Sequence, residues 1–162
     1  MIQLKNPDQI KIMKEAGRIT GEALLTARDH VRPGISTYEL DRLVRESIEK
    51  AGAKPSFLGY GGFPGSACIS INDEVIHGIP SAKRVLKEGD IVKIDVGAFY
   101  KGFHGDSART IAVGNVSEEA AKLIRVTRDS FFAGVAAVKT GNRMGDVGSS
   151  IQKCVSDAGF MM

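Results

Sequence analysis

Apolar positions change their spacing twice along this chain. Between residues 7 and 31, Ile10, Met13, Ala16, Ile19, Thr20, Ala23, Leu24 and Ala27 recur at steps of three and four, the period of an amphipathic helix. Asn6 before Pro7 is an N-terminal capping pair, and Arg32-Pro33-Gly34 ends the helix. Leu40, Leu43, Val44 and Ile48 mark a second helix over about 36–51, opened by Ser36 and Glu39 at capping-box spacing and closed by Gly52. The period then falls to two. Residues 67–72, ACISIN, read as one strand, and IVKIDVGAFYKGFHGDSARTIAV, residues 91–113, as two strands about a Tyr100-Lys101-Gly102 turn. Helical spacing returns from Ser117 to about Val138, breaks at Thr140-Gly141-Asn142, and resumes from about Met144 to Ala158. Helices over about 7–51, a sheet over about 55–113 and helices over about 117–158 predict an α+β fold, an antiparallel sheet flanked by helices.

The same alternation sorts the faces of the hairpin. Val92, Ile94, Val96 and Ala98 share one face, and Lys93, Asp95 and Gly97 the other. On the return strand Asp106, Ala108, Thr110 and Ala112 go together. With the turn centred near Tyr100-Lys101, Asp95 and Asp106 are expected directly opposite each other. Two opposed carboxylates repel, so a sheet accepts them when both face water or when a cation lies between them. Gly97, Gly102 and Gly105 in and beside the strands mark a close approach.

Three histidines are present. His30 falls at the end of the first helix, where a positive charge suits the dipole. His77 sits in a loop before Gly-Ile-Pro, and His104 is expected on the face of Asp106. From spacing alone, Asp95, Asp106 and either His77 or His104 make a facial-triad type of mononuclear metal site. The segment GYGGFPG lacks Gly-Lys-Ser/Thr and leads into a strand, so it is not a phosphate loop. Beside Phe57, Tyr60 and Phe63 it suits either the wall of an apolar pocket or a plain loop with anchoring aromatics.

Composition narrows the classes. The 162 residues suit a single domain, and 43% hydrophobic with 25% charged residues is an ordinary globular balance. The net charge of +3 comes from cations scattered among acids, which gives no footing for nucleic-acid binding. No apolar run is long enough to span a bilayer, and the N-terminus has no apolar signal region, so neither a membrane nor secretion is expected. Cys68 and Cys154 are too few for a disulfide framework, and a reducing cytoplasm is the expected location.

Taken together, IKIMKEAGRI, RPGISTYEL, GYGGFPGSACISIN, VIHGIP and GDIVKIDVGAFYKGFHGDSARTIAVG resemble the type I methionine aminopeptidases of the pita-bread fold. Proline dipeptidases and creatinases share that fold and the paired aspartates, but match GYGGFP and VIHGIP less well. The resemblance implies two divalent metal ions (Co, Mn, Fe or Zn), with Asp95 bidentate on one and Asp106 bridging both. It implies two-metal hydrolysis that removes the initiator methionine from nascent polypeptide N-termini, which the ribosome would present. His77 would be catalytic, hydrogen-bonding the substrate near the scissile amide, and not a metal ligand. Phe57, Tyr60, Phe63 and Cys68 would line the methionine side-chain pocket, a setting that suits a thioether. His104 matches a non-ligand position, which counts against the mononuclear triad. The remaining ligands, one His and two Glu, are expected in a C-terminal half that these 162 residues do not include. The chain is therefore expected to be an N-terminal portion, inactive alone, with an exposed apolar sheet edge. The alternatives are a non-catalytic binding module of the same fold and a proline dipeptidase-type metallohydrolase.

Overall fold

The computed structural model describes residues 3–161. Contacts divide the chain into two compact units, one ending at Asn115 and the other beginning at Val116.

Helix α1 (Pro7–His30) opens on a reciprocal cap: Asn6 Oδ1 accepts from Gln9 N, and Gln9 Oε1 accepts from Asn6 N, both at 2.9 Å. Helix α2 (Thr37–Lys50) begins in the same way, with Ser36 and Glu39 exchanging their bonds. Four strands follow: β1 (Lys54–Pro55), β2 (Ala67–Ile71), β3 (Ile91–Tyr100) and β4 (Phe103–Ala112). β3 is the central strand. β4 runs along one of its edges, β2 and β1 share the other, and every pairing is antiparallel. Among the described residues β4 pairs with β3 alone.

The β3–β4 bend is the two-residue turn Lys101-Gly102, with φ of +46° and +89°. Two successive positive φ values are what a type I′ hairpin turn needs to match the strand twist. The centre of the hairpin therefore lies one residue later than the sequence pattern suggests, and the pairing moves by two. Asp95 faces Ala108, and Asp106 faces Gly97. This corrects the expectation of direct opposition. A shift of two keeps the period, so every side chain stays on its predicted face.

The buried face of the sheet is the predicted one. Val92, Ile94, Val96 and Ala98 pack with Ala67 and Ile69, beneath Ile19, Ala23 and Leu24 of α1 and Leu40, Val44 and Ile48 of α2. Each such aliphatic side chain contributes roughly 1.5–3 kcal/mol on full burial. Helix α1 crosses β4 in backbone contact: a Cβ on Gly105 would stand 2.4 Å from the Ala16 carbonyl oxygen. With both helices on this face, the opposite face, carrying Asp95 and Asp106, is left for chemistry.

The second unit is a helical hairpin of α3 (Glu118–Ala136), capped by Ser117, and α4 (Met144–Asp157). The helices meet closely at Gly134, where a Cβ would lie 2.7 Å from Ile151 Cγ1. No helix among the described residues is long and apolar enough to cross a membrane.

Candidate metal centre

Asp95 stands half-buried in mid-β3, with Cys68 facing it from β2 and Ala108 from β4. Asp106 is exposed and lies one pleat along β4, opposite Gly97. Diagonal neighbours on one face of an antiparallel pair remain within side-chain reach. Here the two carboxyl groups lie within hydrogen-bonding distance of each other. Burial pushes the Asp95 carboxyl above the usual range, and the Asp106 charge and that hydrogen bond push it further; His77 and the Val96 N–H pull the other way. Two crowded carboxylates of this kind fit a divalent cation, because hard oxygen donors suit it and its charge removes the repulsion. Among the described residues no group of three or more His, Cys, Asp or Glu converges on one point, so the pair supplies two donors and no third.

The surroundings are built from the same alternation. Lys93 and Ser70 pair across β3 and β2 on the carboxylate face. Lys93 Nζ donates to the Asn72 carbonyl, and burial lowers its pKa. Ser70 Oγ accepts from Gly78 N at 3.0 Å, and the Gly78 carbonyl accepts from Ile69 N at 2.8 Å. A Cβ on Gly78 would stand 2.1 Å from the Ile69 carbonyl oxygen, so only glycine passes there. The loop that carries His77 is thus laced onto β2.

Its other end is fastened as well. Asn72 Oδ1 accepts from Ile91 N at 2.9 Å, Asn72 Nδ2 donates to Asp90 at 2.8 Å, and Glu74 pairs with Arg84. His77 itself is exposed with φ +59°. A left-handed non-glycine residue costs of order 1–3 kcal/mol and persists only where its neighbours hold it.

The aromatic residues divide. A Cβ on Gly97 would lie 2.7 Å from Phe57 Cε1, so the Phe57 ring rests on the strand beside both carboxylates. Phe63 is half-buried. Tyr60, in a 3₁₀ turn at Tyr60–Gly62, is 81% exposed. Burial, with the charges of Asp95 and Asp106, pushes the Cys68 thiol up to about 11, so it is a neutral lining group and not a thiolate. His104 does share the face of Asp106, but its Nδ1 is engaged by Ser56 Oγ at 2.8 Å and its ring packs on Phe99 at 4.8 Å. His30 Nδ1 lies 2.8 Å from the Thr26 carbonyl, a local helix-end contact. Sequence reasoning missed Ser70 and Ser56. Residues 67–72 read as a strand, but nothing local announced the tie of Ser70 to Gly78.

A family model for metallopeptidase family M24 matches residues 11–162. The chain belongs to that family. It is 54% identical over 160 residues to a methionine aminopeptidase from Clostridium acetobutylicum, covering 99% of this chain and 64% of the relative. The crystal structure of methionine aminopeptidase from Thermotoga maritima superposes with a TM-score of 0.96 at 43% identity, over 99% of this chain and 65% of that one. Prolidase from Pyrococcus furiosus follows at a TM-score of 0.84 and 26% identity, over 96% and 44%. The fold of this M24 chain is the pita-bread fold of these enzymes. The chain spans about 64% of the length of the curated relatives it matches. Membership of a metallopeptidase family implies divalent metal use.

Proposed function

We propose that this chain carries the first part of the catalytic site of a methionine aminopeptidase, which removes the N-terminal methionine from newly made proteins. The observation that carries the reading is the setting of Asp95 and Asp106: two carboxylates side by side, bordered by neutral Cys68 and the Phe57 ring. Oxygen donors for a cation thus adjoin a soft, apolar lining that suits an unbranched thioether. Higher identity to methionine aminopeptidases than to prolidase supports methionine over Xaa-Pro substrates.

Asp95 and Asp106 would hold two divalent ions, drawn from cobalt, manganese, iron or zinc. When bound, such ions polarise a scissile carbonyl and make water nucleophilic at neutral pH. His77, on its fastened loop, hydrogen-bonds the substrate near the scissile amide. Phe57, Phe63 and Cys68 receive the methionine side chain, and Tyr60 reaches it from the solvent side. The substrates are nascent polypeptide N-termini in the cytoplasm, presented at the ribosome. Two carboxylates hold a divalent ion weakly, so the 162 residues by themselves are expected to lack useful turnover.

The test uses Met-Ala-Ser and manganese. It compares the chain alone with the chain joined to the remaining portion of the Clostridium acetobutylicum relative. The joined protein should release methionine in a metal- and His77-dependent way, and the chain alone should not. Cleavage of Xaa-Pro peptides instead would favour the prolidase reading. Metal binding without hydrolysis would favour a binding module. Full turnover by the chain alone would overturn the claim of weak metal holding.

A further inference from the structure

Helix α2 touches both segments that border the carboxylate face. Thr37 and Asp41 lie four residues apart, on one ridge of the helix. The Thr37 hydroxyl donates to the Ser81 carbonyl at 3.1 Å and accepts from Ser81 N at 2.9 Å, and Thr37 N donates to the Arg84 carbonyl at 2.8 Å. One turn on, Asp41 Oδ1 accepts from Ser66 N at 2.7 Å and from Ala67 N at 2.9 Å.

The positions of those partners give the ties their meaning. Ser81 is the residue that follows His77-Gly78-Ile79-Pro80. Ser66 ends the aromatic, glycine-rich segment, and Cys68 stands two residues beyond it. The two tied segments also touch, since a Cβ on Gly65 would lie 2.9 Å from Pro80 Cδ. Thr37 and Ser66 are fully buried and Asp41 and Ser81 half-buried, so these bonds are partly shielded from water. Between Ser56, whose N–H donates to the Gly97 carbonyl of β3 at 2.9 Å, and β2, the backbone belongs to no strand, and Gly59, Gly61 and Gly62 all have positive φ. A segment this free of regular structure takes its placement from side-chain ties.

We propose that Thr37 and Asp41 are positioning residues that set the separation between His77 and the wall of the methionine pocket. The proposal rests on the aminopeptidase reading and deepens it. Thr37 acts through the His77 loop, and its loss should fall on kcat. Asp41 acts through the pocket wall, and its loss should fall on KM. The conservative changes keep the ties: serine retains the hydroxyl, and asparagine retains the Oδ1 acceptor that takes both N–H groups.

The experiment has two arms. In the 162-residue chain, amide hydrogen exchange is read at Ser66, Ala67 and Ser81. Asp41→Ala should speed exchange at Ser66 and Ala67 at least tenfold, and Thr37→Val should do so at Ser81, while Asp41→Asn and Thr37→Ser leave it slow. In the joined, active protein, Asp41→Ala should raise KM for Met-Ala-Ser about tenfold with kcat within twofold, and Thr37→Val should do the reverse. Unchanged exchange, equal damage from Asp41→Asn and Asp41→Ala, or freed amides with unaltered kinetics would each overturn the proposal. An unvaried joined protein that released no methionine would instead overturn the aminopeptidase reading, and the exchange arm would still decide whether the ties exist.

Discussion

Asp95 and Asp106 are diagonal neighbours, the first opposite Ala108 and the second opposite Gly97, and their carboxyl groups meet over a pleat that bears no side chain. Gly97 leaves the space that a Cβ would otherwise fill, and Phe57 takes the adjoining part of it. The carboxylate pair and the aromatic wall are thus arranged around one missing methyl group.

Cation binding at this pair should depend on pH in a definite direction. The Asp95 carboxyl is pushed up by burial and by Asp106, so protons compete with the metal at higher pH than at an ordinary aspartate. Calorimetric titration of manganese should give weak binding at pH 7, weaker still at pH 5, and none in Asp95→Asn or Asp106→Asn. Binding that ignored pH, or survived both substitutions, would place the ion elsewhere.

Gly97→Ala should leave the sheet formed but push the Phe57 ring aside, since the added Cβ would meet Phe57 Cε1 at 2.7 Å and Ser56 Cβ at 2.8 Å. Overpacking against side chains costs about 1–3 kcal/mol. Urea unfolding should show a loss in that range, with a raised KM in the joined protein. A variant with unchanged stability and KM would show that the ring does not rest on the strand.

Gly78→Ala is the harsher change. Its Cβ would stand 2.1 Å from the Ile69 carbonyl oxygen, a backbone atom in a paired strand that cannot turn away. The expected cost is about 3 kcal/mol or more, in the range of severe steric substitutions. The thermal midpoint should fall well below that of Gly97→Ala; equal midpoints would count against the lacing of the His77 loop onto β2.

Asp41 predicts a stability change with an unusual sign. Burial raises its folded pKa above the ordinary 3.8, outweighing the two N–H bonds and Arg45. The folded state then holds that proton more tightly than the unfolded chain does. The associated stabilisation is complete below the unfolded pKa and is lost as pH rises through the folded value. Asp41→Asn keeps the acceptor without the charge, so at pH 7 it should be at least as stable as the unvaried chain, with the advantage shrinking toward pH 3.5. Denaturant midpoints at the two pH values check this, and a variant clearly less stable at pH 7 would contradict it.

How much of this was legible depended on how local the signal was. Caps and periods are local, and α1, predicted over 7–31, runs Pro7–His30, while the third helix, predicted to about Val138, ends at Ala136. Strand faces were legible for the same reason, and so Asp95 and Asp106 were placed on one face. Their register was not, because it turns on Lys101 taking a positive φ that no lysine advertises. The pair β1, Lys54–Pro55, is too short to carry any period. The left-handed backbone of His77 and the reach of Asp41 to Ser66 across 25 residues belong to tertiary packing, which a single sequence leaves unwritten.

The two-residue bend at Lys101-Gly102 has a consequence for how this hairpin tolerates change. Residues at the bend touch nothing in the site, and asparagine or glycine for Lys101 would suit its positive φ at least as well. Their number is another matter. One residue removed there puts the strands out of phase, sending Asp106 to the helix-covered face and Ser107 into its place, and one residue added brings Gly105 there instead. The spacing of the carboxylates is kept by a count, so this bend should admit substitutions freely and insertions or deletions hardly at all.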